Sequence, residues 1–250
     1  MWTRQDDLSL LAQAAGPPVL PGLARTDRVC AYDRPGTLRY ITGLPLTHRT
    51  TPVAQPRTAA DLVAELHSLL AAARVPAPYV LVGHSLGGLV MLLYGRTYPN
   101  QVRGMVFVDA FSPTVPAKLG PLWPLYRDRV LNPPPRAKPI PSLRGPASEV
   151  VKLDASIAQV DRAPPLPTMP LVVLTKTEPF RIQPGSLPAG ITLPEIDKAY
   201  QGAQNDLVTL APTTPHIFAT GSEHYIQLSQ PDLVIDATLL VLSRVASRGK

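Results

Sequence analysis

Short apolar runs alternate along the chain with longer stretches of helical period. Four runs have the length and apolar content of buried strands: residues 79–82, 104–109, 170–174 and 216–220. A fifth run, residues 28–32, ends in turn residues and is also predicted to be a buried strand. Because helical patterns separate most of these runs, the sequence predicts an α/β protein with a mostly parallel sheet covered on both faces.

Helices are predicted for residues 58–74, 86–98, 195–210 and 231–246. The first begins with Thr58-Ala-Ala-Asp61, a capping box with Asp in place of Glu. Positions with helical spacing are predicted to face inward: Leu62, Leu66, Leu69, Leu70 and Ala73 in the first helix, Ile196, Tyr200 and Leu207 in the third, and Leu233, Val234, Ala237, Leu240 and Val241 in the fourth.

The chain has 31 prolines, and they are most dense in the middle, with runs in residues 132–136, 138–141 and 163–167. Proline density of this kind favours short helices joined by extended turns. We therefore expect residues 110–168 to form a lid inserted into a single α/β domain of residues 1–250.

Composition excludes several other classes of protein. The net charge of +6 comes from scattered Lys and Arg residues without a nucleic-acid motif, so we expect a solvated basic surface and no nucleic-acid partner. No apolar stretch reaches the roughly 18 residues of a membrane span. The first residues do not resemble a signal peptide, which predicts a cytoplasmic protein unless an export segment precedes Met1. Cys30 has no partner for a disulfide, and no Cys/His cluster indicates a metal or another cofactor.

The sequence Gly83-His84-Ser85-Leu86-Gly87 has the form G-x-S-x-G and lies between a predicted strand and a predicted helix. A turn this tight requires small neighbours and strains the serine backbone. It presents the Ser85 hydroxyl at the N-terminus of the helix, where the Leu86 amide can stabilise negative charge on an oxygen.

Three segments resemble the α/β-hydrolase superfamily: RVCAYDRPG (28–36), PYVLVGHSLGGLVMLLYGRTYPNQVRGMVFVDA (78–110) and ATGSEHYIQLSQPDLVIDA (219–237). The resemblance implies the α/β-hydrolase fold, with Ser85 as nucleophile and His224, in the loop after the last strand, as its base. The other four histidines are predicted to have structural or surface roles. Asp33 is predicted to be a structural turn carboxylate.

The resemblance leaves two positions open for the acid that orients the base. Asp109 ends the strand after the nucleophile helix, and some branches of the superfamily place their acid there. Glu178 follows the next strand, at or beside the position that most members use. We favour Asp109, because it stands directly at its strand end; capping of loop amides is the competing interpretation.

The superfamily also has N-terminal strands and a glycine-rich turn that donates a second oxyanion amide. Neither is found ahead of residue 28, so either the true start lies upstream of Met1 or the element has been lost. For residues 1–250 alone, we expect an N-terminally incomplete fold that is poorly stable or weakly active. The predicted activity is ester hydrolysis through an acyl-enzyme, with a small apolar ester as substrate. Candidates for the apolar wall of its pocket are Leu122, Trp123, Leu125 and Tyr126. The alternatives are a hydrolase-fold binding protein with little or no activity, or a lyase or perhydrolase with the same triad.

Overall fold

A central parallel sheet organises the protein in a computed structural model that describes residues 19–36, 38–39, 47–48, 50–132, 149–182, 185 and 187–248. Its four strands are β3 (Tyr79–His84), β4 (Val102–Val108), β5 (Leu171–Lys176) and β6 (His216–Ala219). They lie side by side in that order, and every neighbouring pair is parallel. A separate antiparallel pair joins β1 (Leu38–Arg39) to β2 (Thr47–His48).

Helices connect the strands and cover the sheet. Their bounds are α1 (Val19–Leu23), α2 (Ala59–Ala72), α3 (Leu86–Thr97), α4 (Val115–Leu119), α5 (Trp123–Tyr126), α6 (Leu153–Arg162), α7 (Leu193–Val208), α8 (Ile226–Ser229) and α9 (Pro231–Arg248). The four predicted helices are thereby confirmed, with small shifts at their ends. In the ranges that the structure describes, no helix is both long and apolar enough to cross a membrane.

Alternate side chains of the central strands enter two different cores, as a sheet covered on both faces requires. Met105 and Phe107 of β4 belong to the larger core, which also contains buried residues of α2, α3 and α7. Val106 and Val108 of the same strand belong to the second core, together with buried residues of α1 and α9. The predicted parallel α/β architecture is therefore confirmed.

Helix α2 begins as the sequence predicts. The Asp61 carboxylate accepts a hydrogen bond from the Thr58 amide at 2.7 Å, and the Thr58 hydroxyl caps the Asp61 amide, which completes the capping box. Leu62 and Leu66 are buried, but Leu69 is 40% exposed. Ala73 is exposed as well, and Leu70 is half-buried against the core. The predictions for Leu69 and Ala73 are wrong, because the core fully covers only the first half of the helical stripe.

The prediction of a strand at residues 28–32 is also wrong, since this segment has no regular structure and is largely exposed. A strand is stabilised by a hydrogen-bonded neighbour. Among the described residues, β3 is one of the two edge strands of the sheet and pairs only with β4. The apolar run at residues 28–32 does not pair with the open edge of β3, and its largely exposed side chains do not gain the burial that would stabilise a strand.

Short helices α4, α5 and α6 occupy the described parts of residues 110–168, as the proline content predicts. The proline runs at 133–136 and 138–141 lie outside the described residues. Residues 149–151 contact the N-terminal part of the chain. The Glu149 carboxylate pairs with Arg34 and Arg57, and an isolated parallel bridge joins Arg57 to Val151. That residues 110–168 act as a lid stays a prediction.

Candidate active site

Ser85 occupies a sharp turn between β3 and α3. Its backbone has φ = 50° and ψ = −126°, a conformation that non-glycine residues rarely adopt. Three hydrogen bonds hold it: the Ser85 amide donates to the Val108 carbonyl at 3.3 Å, and the Ser85 carbonyl accepts from the amides of Gly88 (2.9 Å) and Phe111 (2.8 Å). The neighbouring strand and its following loop thus maintain the strained backbone.

The glycines at this turn are required by close packing. A Cβ atom on Gly83 would lie 2.7 Å from both the Gly87 carbonyl oxygen and Met91 Sδ. A Cβ atom on Gly88 would lie 2.3 Å from the Cβ of Ala110. Both separations are shorter than van der Waals contact. The close approach of the helix to the strands therefore requires glycine at these two positions.

The turn aims the N-terminus of α3 at the region in front of Ser85. Leu86 is the first residue of this helix, and the first amides of a helix have no acceptor within it. The helix dipole adds partial positive charge at the same end. The Leu86 amide is therefore a suitable donor to an oxygen that gains negative charge.

Asp109 lies immediately after β4, and its side chain is fully buried. The Asp109 Oδ2 atom is 2.6 Å from Nδ1 of His224, and Oδ1 accepts a hydrogen bond from the Lys176 amide at 3.3 Å. A carboxylate accepts hydrogen bonds only, so this contact places the proton of a neutral His224 on Nδ1 and leaves Nε2 free as a base.

Glu178, the other candidate acid, is exposed in the loop after β5. Its carboxylate accepts a long hydrogen bond of 3.4 Å from the Thr177 hydroxyl, and its amide donates to the Ser222 carbonyl at 2.9 Å. The backbone of Glu178 thus ties two loops together. Asp109 makes the carboxylate contact with Nδ1 of His224.

His224 follows β6 and is surrounded by aromatic rings. Nε2 of His84 is 2.9 Å from the carbonyl oxygen of His224, and the two rings are 4.5 Å apart. The Phe180 ring lies 5.0 Å from the imidazole, and the Tyr200 ring lies 6.0 Å from it. The His224 side chain retains 13% exposure. The His224 imidazole is therefore firmly held while part of its ring stays accessible.

The Tyr200 hydroxyl donates a hydrogen bond to the Asp109 carbonyl at 3.2 Å. Burial raises the pKa of Tyr200 well above its ordinary value, and the charge of Asp109 adds to that rise. In the described part of the chain, no hydrogen bond joins the Ser85 side chain to His224. Proton transfer between them requires rotation of the serine side chain or tightening on substrate binding, as is common in unliganded active sites.

The Ser85 turn, the Asp109 carboxylate and the His224 imidazole follow β3, β4 and β6 and lie at the carboxyl edge of the parallel sheet, which is where sites form in such sheets. The model of the Alpha/beta hydrolase family matches residues 2–237 of the chain. The chain belongs to this family. Its predicted fold class is thus confirmed by both the sheet and the family match.

Two solved structures share this fold along most of the hydrolase-family chain. One is a mutant form of methylketone synthase I from tomato, with 17% identity, a TM-score of 0.55, and coverage of 91% of this chain and 93% of that one. The other is a serine hydrolase involved in carbazole degradation, with 15% identity, a TM-score of 0.52, and coverage of 90% and 83%. At such identities the likeness shows the fold alone.

An uncharacterised protein of Schizosaccharomyces pombe is 34% identical over 94 residues. This match includes 38% of the hydrolase-family chain and 16% of the length of the yeast protein. It therefore concerns a small part of a much longer protein.

Several residues at the site were missed by sequence reasoning. The Lys176 side chain is 1% exposed; its ammonium group pairs with Asp197, donates to the Glu178 carbonyl at 2.9 Å, and lies 4.2 Å from the centre of the Phe180 ring. Gln204 is likewise buried. The apolar positions of α7 predict its inward face, but polar residues on that face have no distinct sequence signal.

Other residues that the sequence analysis assigned to structural roles contact side chains outside the candidate site or lie at the surface. His67 stacks on Tyr98 with ring centres 4.0 Å apart, and Nε2 of His216 is 2.8 Å from the Thr175 hydroxyl oxygen. Asp33 is exposed in the turn after residues 28–32. Within the described ranges, no group of three or more His, Cys, Asp or Glu side chains is arranged to hold a metal ion.

Proposed function

We propose that this hydrolase-family protein is a serine hydrolase that cleaves carboxylic esters through an acyl-enzyme. Membership of the family supports an enzyme of the hydrolase type. The observation that carries the finer proposal is the 2.6 Å contact between Asp109 and Nδ1 of His224, beside the strained Ser85 turn. It leaves Nε2 of His224 to act on the serine hydroxyl.

In the proposed first half-reaction, the Ser85 oxygen attacks the ester carbonyl carbon while Nε2 of His224 takes the hydroxyl proton. The carbonyl oxygen becomes negatively charged and accepts a hydrogen bond from the Leu86 amide. When the carbon–oxygen bond to the alcohol breaks, His224 returns the proton to the departing alkoxide. An alcohol leaves, and the acyl group remains on Ser85.

In the second half-reaction, water attacks the acyl carbon and gives its proton to His224. The bond to Ser85 then breaks, the proton returns to the serine oxygen, and a carboxylic acid leaves. Asp109 keeps the imidazole oriented and stabilises its charged form in both halves. Esters are favoured over amides as substrates because an alkoxide is a better leaving group than an amide nitrogen anion.

The proposed acyl pocket is bounded by the helices between β4 and β5. Trp123 and Tyr126 are buried in the larger core, and Leu122 and Leu125 pack against it. The Trp123 indole also donates to Asp154 at 2.8 Å. These contacts give the proposed wall an apolar surface with a fixed orientation, which suits a small apolar acyl group.

A fluorophosphonate probe tests the proposal, because it phosphonylates an activated serine without requiring a known substrate. We expect a single adduct on Ser85 by mass spectrometry and its loss in Ser85→Ala. Ser112→Ala is the matched control, since Ser112 is a buried serine near the turn. If folded wild-type protein takes up no probe and hydrolyses no short-chain nitrophenyl ester, the proposal is wrong and a binding protein with this fold is favoured.

A further inference from the structure

Helix α7 carries a stripe of polar side chains on the side that faces the site. Asp197, Tyr200 and Gln204 are spaced by three and four residues, so they lie along one face of the helix. Tyr200 is 3% exposed and Gln204 is fully buried. Burying polar groups is costly unless they find partners. The partners of these three residues show what the stripe does.

Two members of the stripe hold the turn that carries the proposed acid. The Tyr200 hydroxyl donates to the Asp109 carbonyl at 3.2 Å, and the Gln204 side-chain amide donates to the next carbonyl, that of Ala110, at 2.6 Å. Asp109 has φ = 38°, a left-handed conformation that is unfavourable for a non-glycine residue. The hydrogen bonds from Tyr200 and Gln204 therefore stabilise the backbone at its strained position.

The same stripe reaches the proposed base. The Tyr200 ring lies edge-on to the imidazole of His224, with ring centres 6.0 Å apart. Asp197 accepts the Phe180 amide at 3.3 Å and pairs with Lys176, whose own amide donates to the Asp109 carboxylate. The Phe180 ring thus held lies against the imidazole of His224. One face of α7 consequently contacts the turn of the proposed acid and the surroundings of the proposed base.

We propose that Tyr200 and Gln204 are positioning residues that fix Asp109 against His224, with Asp197 supporting the same arrangement through Phe180. This inference rests on the proposed function for its catalytic consequence. Its structural content, the orientation of Asp109 toward Nδ1 of His224, is measurable whether or not the protein hydrolyses esters.

The first measurement compares Tyr200→Phe and Gln204→Leu with two matched controls. Tyr94→Phe removes another buried tyrosine hydroxyl, one that donates to Gln101 at 2.6 Å, and Gln201→Leu changes an exposed glutamine on α7. At saturating probe, we expect fluorophosphonate labelling to slow about tenfold in the test variants, with an unchanged half-saturating concentration. The controls should label at the wild-type rate, although we expect Tyr94→Phe to lower the melting temperature through loss of its hydrogen bond to Gln101.

The second measurement does not depend on activity. In ¹⁵N-histidine-labelled protein, the two ring nitrogens of neutral His224 report which one carries the proton. We expect the Nδ1–H form in the wild type and in both controls, and a mixture of the two forms in Tyr200→Phe and Gln204→Leu. His224→Gln identifies the signals.

The two readouts separate the possible failures. Unchanged ring-nitrogen signals in both test variants would overturn the positioning role, whatever the labelling rates. An absence of labelling in wild-type protein would contradict the proposed function, while altered signals in the test variants would still support the role of the stripe.

Discussion

Replacement of Asp109 by asparagine tests which carboxylate serves the proposed triad. The Lys176 amide donates to Oδ1 of Asp109, so the oxygen of the introduced side-chain amide will stay on that side and its NH₂ group will face His224. Nδ1 of His224 must then accept a hydrogen bond, and the ring proton moves to Nε2. An imidazole with that tautomer cannot take the serine proton.

The size of the expected effect follows from that change of tautomer. In serine-hydrolase triads, replacement of the acid by its amide lowers kcat by about 10⁴ while the geometry stays intact. We expect Asp109→Asn to lower kcat for a short-chain nitrophenyl ester by about 10³–10⁴, with a smaller change in KM. Glu178→Gln should stay within about twofold of wild type, because the Glu178 carboxylate is exposed and contacts Thr177.

Both variants are assayed as purified protein, with circular dichroism and melting temperature as controls for folding. Loss of activity in Glu178→Gln together with more than a tenth of wild-type activity in Asp109→Asn would refute the reasoning. Glu178 would then be the acid, and the 2.6 Å contact between Asp109 and His224 would have a structural role only.

Three further changes probe the packing, the loop and the acid response of the protein. Gly88→Ala introduces a Cβ atom 2.3 Å from its nearest side chain, so we expect a loss of about 1–3 kcal/mol in the free energy of unfolding, measured by urea denaturation. His84→Phe keeps a ring but removes the donor to the His224 carbonyl, so labelling of the serine should slow about tenfold. Burial lowers the pKa of His216 from 6.5. Because the unfolded chain then binds more protons than the folded one, stability should fall as pH drops below about 7, and less steeply in His216→Gln, in urea midpoints measured against pH.

Control variants and contradicting results accompany these changes. Gly202→Ala places its Cβ beside the flexible Lys118 side chain on a regular helix, so it should preserve or raise stability; a loss equal to that of Gly88→Ala would contradict the packing argument. His84→Gln retains a donor and should recover much of the labelling rate. If wild type and His216→Gln have the same pH dependence, His216 does not contribute to it.

The local sequence was sufficient to predict those elements whose residue pattern depends only on near neighbours in the chain. The apolar runs of β3 to β6, the capping box at Thr58 and the glycines around Ser85 each depend on neighbours within a few residues, and the structure has them where they were predicted. The apolar run at residues 28–32 has a similar local signal but forms no strand. A strand depends on a partner that the local pattern does not contain.

The candidate site was predicted only in part, for the same physical reason. The G-x-S-x-G spacing identifies Ser85, but Asp109 and Glu178 both follow strands of the sheet and satisfy the same one-dimensional pattern. The contact between Asp109 and His224 joins residues 115 positions apart. The sequence by itself determined the strands, the helices and the sharp serine turn, because these follow from local backbone preferences and the burial of apolar side chains. Only the tertiary structure decided which carboxylate meets the imidazole and which polar face of α7 supports it, because those contacts depend on how strand ends and helices pack.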